Sequence, residues 1–138
     1  MSKKFDEWNE IKKKTYNINR KIGLKPREIY WVKIGENVGY EQSGKGDEFL
    51  RPVIIVRQFN KHLFVGIPTS TTFREESNFF YPFEYKNKKN NIIQVTALIV
   101  QLKVFSVKRV LSKIGMMNKD DFEVLLEKSH NLIDPTRR

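Results

Sequence analysis

From Arg27 to Met116 the chain divides into short runs of aromatic and branched residues, each closed by turn-forming residues. Runs of this kind suit a pleated, partly buried surface and are too short for ordinary helices. Glu28 to Ile34 reads as the first strand. A polar, glycine-containing stretch follows from Gly35 to Phe49 (GENVGYEQSGKGDEF). Pro52 to Arg57 is almost continuously apolar, which predicts a buried strand begun by a proline at an edge position. Asn60-Lys61 is a turn, and His62 to Ile67 forms the expected hairpin partner. Beyond it lies a hydroxyl cluster, Pro68 to Thr72, placed past the strand end. Phe79 to Tyr85 predicts another strand, Lys86 to Asn91 a basic turn, Ile92 to Lys103 one or two strands, and Arg109 to Met116 the last.

Helices are expected at both ends. Residues 3 to about 20 carry Asp6, Glu7 and Glu10 early and Lys12, Lys13, Lys14 and Arg20 late, which complements a helix dipole. Phe5, Trp8, Ile11 and Thr15 give that segment a narrow apolar stripe, and Gly23 and Pro26 end it. Near the other end Asn118 is the predicted N-cap, with Asp120 and Asp121 in the first turn. Phe122, Leu125, Leu126, Leu132 and Ile133 supply the apolar face, and residues 134–138 are expected to fray. Closely spaced short strands with a helix at each end describe a small barrel or a strongly curved sheet. The expected organisation is a single domain over 1–138. It consists of a helical extension (1–24), a barrel with its closing helix (25–133) and the tail. At 138 residues, 39% of them hydrophobic and 12% aromatic, the chain can bury one compact core.

Charge narrows the function classes. Lys and Arg number 26 against 16 Asp and Glu, a formal net charge of +10. Between Tyr85 and Lys119 there is no acidic residue, while Lys86, Lys88, Lys89, Lys103, Lys108, Arg109 and Lys113 all fall there. Such an uncancelled field favours a polyanion, with nucleic acid first among the choices. Cysteine is absent, which excludes disulfides and thiolate metal sites. The N-terminus has no apolar signal core, and no segment reaches the roughly 20 apolar residues of a membrane span, so a cytoplasmic protein without membrane contact is expected.

The residues that could do chemistry are few. His62 and His130 are the only histidines, too few for paired-histidine acid–base cleavage or for a histidine-rich metal cluster. Gly44-Lys45-Gly46 alone is a flexible turn rather than a phosphate loop, and Glu41, Asp47 and Glu48 lack the spacing of a metal or glycosidase pair. Arg51 stands between the polar loop and a buried strand. From there it can clamp a phosphate or form a strand-edge salt bridge to Asp47 or Glu48. The hydroxyls of Thr69 to Thr72 can donate to a phosphate or simply shape a turn. Phe79, Phe80 and Tyr81 fit the core better than a base-stacking surface. The residues by themselves therefore define a nucleic-acid binder with candidate phosphate contacts.

A resemblance adds to this. Arg27-Glu28-Ile29-Tyr30-Trp31-Val32 looks like the first strand of the MazF/PemK toxins. Gly39-Tyr40-Glu41-Gln42 with Gly44 resembles their G-x-E-Q-x-G loop. Arg51-Pro52-Val53-Ile54-Ile55 is similar to their R-P-V strand, and Ile67-Pro68-Thr69-Ser70-Thr71 to their P-x-T-T segment. Gln101-Leu102-Lys103 with Lys108-Arg109-Val110 resembles the remaining pair of elements. The match spans about Arg27 to Ile133. It implies an SH3-like β-barrel of the MazF/PemK/CcdB type, with the N-terminal helix as an addition, in a homodimer held by an acidic antitoxin protein. It further implies cleavage of single-stranded RNA without cofactor or metal, leaving 2′,3′-cyclic phosphate and 5′-hydroxyl ends.

On this resemblance Arg51 stabilises the phosphate and donates a proton. The essential hydroxyl falls on Ser70, or on Thr71 if the register slips by one, and Glu41 assists proton transfer. Gln42, Lys45, Thr69, Lys86, Lys88, Lys89, Gln101 and Lys103 are the implied RNA contacts. Two positions depart from the usual pattern: Ser70 stands for threonine, losing the methyl that fixes its rotamer, and Lys103 stands for arginine, losing a bidentate fork. The competing classes are a non-catalytic nucleic-acid-binding barrel and a gyrase-targeting toxin like CcdB.

Overall fold

The computed structural model describes residues 23–35 and 49–137. The expected N-terminal helix, and the loop bearing Glu41, Gln42, Lys45, Asp47 and Glu48, lie outside the described residues. Among the described residues seven strands form one antiparallel sheet: β1 (Glu28–Lys33), β2 (Leu50–Gln58), β3 (Leu63–Ser70), β4 (Phe80–Lys86), β5 (Ile92–Leu98), β6 (Lys103–Ser106) and β7 (Val110–Met116). Helix α1 (Lys119–Ile133) follows. The continuous path is β4-β5-β3-β2-β1-β7, and β6 also pairs with β3. The two 3-10 turns are Ile99–Gln101 and Val107–Arg109.

β3 explains the curvature. Its first half, Leu63 to Gly66, pairs with β6, while Thr69 and Ser70 pair with Ala97 and Thr96 of β5. One strand thus feeds two partners that diverge from each other. β6 and β7 are joined by the three-residue turn Val107–Arg109, but no ladder is recorded between them among the described residues. The expected barrel is therefore a strongly curved sheet, not closed by hydrogen bonds. This pairing also corrects the expected end of β3: Thr69 and Ser70 belong to the strand, because β5 continues the ladder there.

Each face of the central strands meets its own core. Tyr30, Val32, Val53, Ile55 and Phe64 pack with Phe105, Val107 and Val110. Ile29, Ile54 and Ile67, of opposite pleat parity, pack against Phe83, Tyr85, Val95 and Ala97 of the β4–β5 hairpin and Phe122 and Leu125 of α1. Burial on both sides is why Pro52 to Val56 is apolar without alternation. Pro52 itself is not at a sheet edge. It opposes Trp31 in β1, and the β2–β3 ladder begins one residue later at Val53, so its missing N–H lies outside that ladder. The hairpin lies tightly across β7: a Cβ at Gly115 would stand 2.4 Å from the Tyr85 ring.

α1 begins as its sequence predicts, with Asn118 Oδ1 accepting from Asp120 N at 2.8 Å. Phe122 and Leu125 are buried and Leu126 and Leu132 pack at the core edge, whereas Ile133, the last residue of the helix, is 64% exposed. Tyr81 packs at the core and donates to Asp121 Oδ1 at 2.6 Å, Phe80 is half-buried, and Phe79 is exposed, so the aromatic run only partly serves the core. The tail expected to fray is tied back by Arg137, which donates to Glu127 Oε1 at 3.1 Å. Among the described residues no helix is long and apolar enough to cross a membrane.

Glu28 fastens the start of the sheet. Its carboxylate meets Lys113 Nζ at 2.9 Å and accepts from Lys25 N at 2.8 Å and Tyr30 Oη at 3.3 Å. Burial alone would raise its pKa, but these donors together hold it below the ordinary 4.5. A depressed carboxylate adds stability that is complete above the unfolded value and is lost as pH falls through the folded one. Glu28→Gln is expected to cost about 1 kcal/mol at neutral pH, since half-exposed Lys113 is screened by water. That difference should shrink as the wild type is acidified below about pH 4. Urea melts across that range check it, and a pH-independent difference would sink the linkage.

Candidate active site

A cleft of about 420 Å³ opens where the β4–β5 hairpin folds over the ends of β1, β2 and β3. β1 gives Trp31, β2 gives Leu50, Arg51 and Pro52, and β3 gives Thr69 and Ser70, with Thr71 just beyond. The hairpin supplies Tyr85, Asn87, Ile93 and Val95, and β7 supplies Ile114. Among these described lining residues Arg51 alone carries charge. The β1–β2 loop springs from the rim, where Ile34 N donates to Phe49 O at 3.0 Å and Leu50 lines the wall.

Arg51 is 5% exposed, and its Nη1 donates to Thr69 O at 2.9 Å. This contact ties the guanidinium to the end of β3, while Asp47 and Glu48, the alternative partners, lie outside the described residues. Burial lowers its pKa from the ordinary value, but an arginine so placed stays protonated at neutral pH. Water is largely displaced around the charge, so its attraction for an anion is strengthened.

The hydroxyls differ in what they can do. Thr69 is 1% exposed and its Oγ1 donates to Pro52 O at 3.0 Å. Its hydrogen is thereby engaged in joining β3 to β2, and Thr69 serves the site through the carbonyl that holds Arg51. Ser70 Oγ accepts from Thr72 N at 3.1 Å, which orients the oxygen while its own hydrogen can still donate. Ser70 stands two residues past Pro68, and Arg51 two before its partner Val53, so both lie at the same end of the β2–β3 ladder. Thr71 is exposed at the mouth.

Of the remaining sequence candidates, Lys86, Lys88 and Lys89 surround Asn87 on the exposed β4–β5 turn. Asn87 Oδ1 shapes that turn by accepting from Lys89 N at 2.9 Å and Asn91 N at 3.0 Å. Gln101 and Lys103 do not line the cleft. Lys103 opposes Gly66, four residues before Ser70 on β3, and its ammonium stands 5.3 Å from the Phe105 ring centroid. His62 and His130 are both exposed and away from the lining. Trp31, Tyr85 and Asn87 are cleft residues that sequence reasoning did not single out. Burial raises the pKa of Tyr85, so its phenol stays a donor at neutral pH. Among the described residues no group of three or more His, Asp or Glu could hold a metal ion.

Among the described residues, an antiparallel sheet of seven strands followed by a C-terminal helix matches the fold of MazF-like proteins. Residues 25–132 match the family described as PemK-like, MazF-like toxin of type II toxin-antitoxin system, and the chain belongs to that family. Among solved structures it is similar to the Mycobacterium tuberculosis toxin MazF-mt6, at 16% identity and a TM-score of 0.55, over 76% of this chain and 94% of that one. It is likewise similar to an endoribonuclease in complex with its cognate antitoxin from Mycobacterial species. That match has 11% identity, a TM-score of 0.55, and 78% and 92% coverage. At such identities the likeness is one of fold. Comparison with curated proteins finds no match.

Proposed function

We propose that this chain is the endoribonuclease toxin of a toxin–antitoxin module, cutting single-stranded RNA at short sequences without a metal. The observation that carries this reading is Arg51, a buried cation fixed on Thr69 O beside the Ser70 and Thr71 hydroxyls in an open cleft. Such a cluster suits a reaction whose nucleophile comes from the substrate. The RNA 2′-oxygen attacks the adjacent phosphorus and loses its proton. The P–O5′ bond breaks, and O5′ gains a proton. The protein must then stabilise the negative charge that builds on the non-bridging oxygens, which preorganised donors do well.

Arg51 supplies the positive charge, and Ser70 donates from the strand end. Glu41, on the β1–β2 loop, takes the role of proton carrier that the family resemblance implies. Trp31 and Tyr85 offer apolar walls for the flanking nucleotides, and the Lys86, Lys88 and Lys89 turn lies along the strand's phosphates. The same reading makes the chain a homodimer in the cytoplasm. Its partner is an acidic antitoxin drawn to the basic surface that attracts RNA.

The test is cleavage of a mixed-sequence fluorogenic RNA by the purified full chain in excess EDTA. Cleavage that leaves 2′,3′-cyclic phosphate and 5′-hydroxyl ends is expected. Ser70→Ala should slow it by about tenfold to a hundredfold, the scale of one hydrogen bond to a charged group. Thr71→Ala should change it less, and the reverse order would move the essential hydroxyl to Thr71. Abolition by EDTA would overturn the metal-free chemistry. RNA bound but never cut would make the chain a binding module instead, and inhibition of gyrase would favour the CcdB-like alternative.

A further inference from the structure

On the opposite side of β5 from the cleft, the 71–79 loop folds over the outer surface of the β4–β5 hairpin. Arg74 N donates to Thr96 Oγ1 at 3.3 Å and Ser77 N to Phe80 O at 2.9 Å, which seats the loop on the hairpin. Between loop and hairpin lies a second hollow of about 350 Å³, within the range of small-ligand sites. Phe73 flanks it, Pro82 and Thr96 form an opposed pair at its floor, and Glu84 and Gln94 form the next pair along the same surface. Thr71 lines both this hollow and the Arg51 cleft, so the two sites are neighbours along any strand that crosses Thr71.

The chemistry of the hollow is selective. Phe73 is 74% exposed and presents a ring on which any base can stack. Glu84 and Gln94 are exposed, and neither makes an ion pair or side-chain hydrogen bond among the described residues. A carboxylate accepts two hydrogen bonds, and a carboxamide adds a donor. Of the four RNA bases only guanine presents two adjacent donors, N1–H and the N2 amine, beside an acceptor, O6. Adenine and cytosine each offer a single donor group next to an acceptor, and uracil flanks one donor with two acceptors. A carboxylate in an otherwise basic protein is also a poor surface for the phosphate backbone, which suits it to reading a base edge.

We propose that this hollow is a guanine subsite flanking the cleavage site, with Phe73 stacking the base, Glu84 accepting from N1–H and the N2 amine, and Gln94 donating to O6. The inference rests on the reading of the chain as an RNA-cutting protein, yet it is testable by binding alone. The probes are short single-stranded RNAs whose 2′-hydroxyls are replaced by 2′-methoxy groups, so that they cannot be cut. Each carries guanine, inosine, adenine, cytosine or uracil at one position in turn. With the full-length protein, fluorescence anisotropy should show one position where guanine binds roughly tenfold tighter than inosine, which lacks the N2 amine. Glu84→Gln should abolish that advantage while leaving the other bases unchanged. Phe73→Ala should weaken all the bases at that position alike, because stacking is indifferent to base identity. An absent guanine preference, or one that survives Glu84→Gln, overturns the subsite. Cleavage of unmodified RNA is scored separately. A Glu84-dependent guanine preference in a protein that never cuts would keep the subsite and sink the nuclease reading, and the reverse result would do the opposite.

Discussion

Arg51→Ala is expected to lower the rate of RNA cleavage by roughly 10²–10³, the usual loss when one preorganised charge-stabilising donor is removed. The geometry argues for this end of the scale. The guanidinium is almost fully buried and is anchored through Nη1 to Thr69 O, so little reorganisation is needed when charge builds on the phosphate. It is also the only charged group among the described residues that line the cleft, so no described neighbour there can substitute. Arg51→Lys should recover only part of the activity, because an ammonium offers a point charge where the guanidinium offers a fork. The substitution to alanine also removes the bond to Thr69 O, worth about 1 kcal/mol. Thermal melting should therefore accompany the kinetics, to show that the variant is still folded. RNA affinity should fall far less than the rate, since the lysine-rich turn remains. A rate loss below about fivefold would remove Arg51 from the chemistry.

What the chain's sequence discloses and what it conceals have a common physical cause. Strand positions are local properties, so the runs at Glu28, Pro52, Leu63, Phe80, Ile92 and Val110 are legible, as is the Asn118 cap. Arg51 is legible for the same reason: it sits at a junction between polar loop and apolar strand. The far wall of the cleft is not local. Tyr85 and Asn87 reach it only because β5 takes over the second half of β3 and carries its hairpin across the sheet. No period in the sequence encodes that switch of partner. The end of β3 is concealed for the same reason, since a Thr-Ser pair looks like a turn until another strand pairs with it. Glu84 and Gln94 are silent in sequence too, as a polar residue every second position on a strand is the ordinary mark of a solvated face.

The two cores invite an equally severe test of the fold, apart from the site. Phe64→Ala should cost about 3–5 kcal/mol, the range for deleting a buried aromatic side chain. Phe64 is fully buried and stacks on Phe105 with ring centroids 5.3 Å apart and planes at 19°. The two residues are also direct partners in the β3–β6 ladder. β6 is only four residues long, and among the described residues its one ladder is to β3, so this ring pair holds it in place. The Val107–Arg109 turn and the start of β7 follow β6 in the chain, and Val107 and Val110 share the same core. Removing the ring therefore loosens one side of the sheet, and the cavity cannot collapse without moving β6. Phe64→Leu, which keeps most of the volume, should cost less than about 1.5 kcal/mol. Urea unfolding measures both differences. Since a domain of this size is stable by only about 5–15 kcal/mol, Phe64→Ala could unfold much of the population, and in that case Phe64→Leu carries the comparison. The Arg51 cleft lies at the far end of β3, so whatever fraction of either variant remains folded should cleave RNA at the wild-type rate. A loss of less than about 1 kcal/mol in Phe64→Ala would mean that the core beneath β6 contributes little and that the β4–β5 and α1 layer alone holds the sheet.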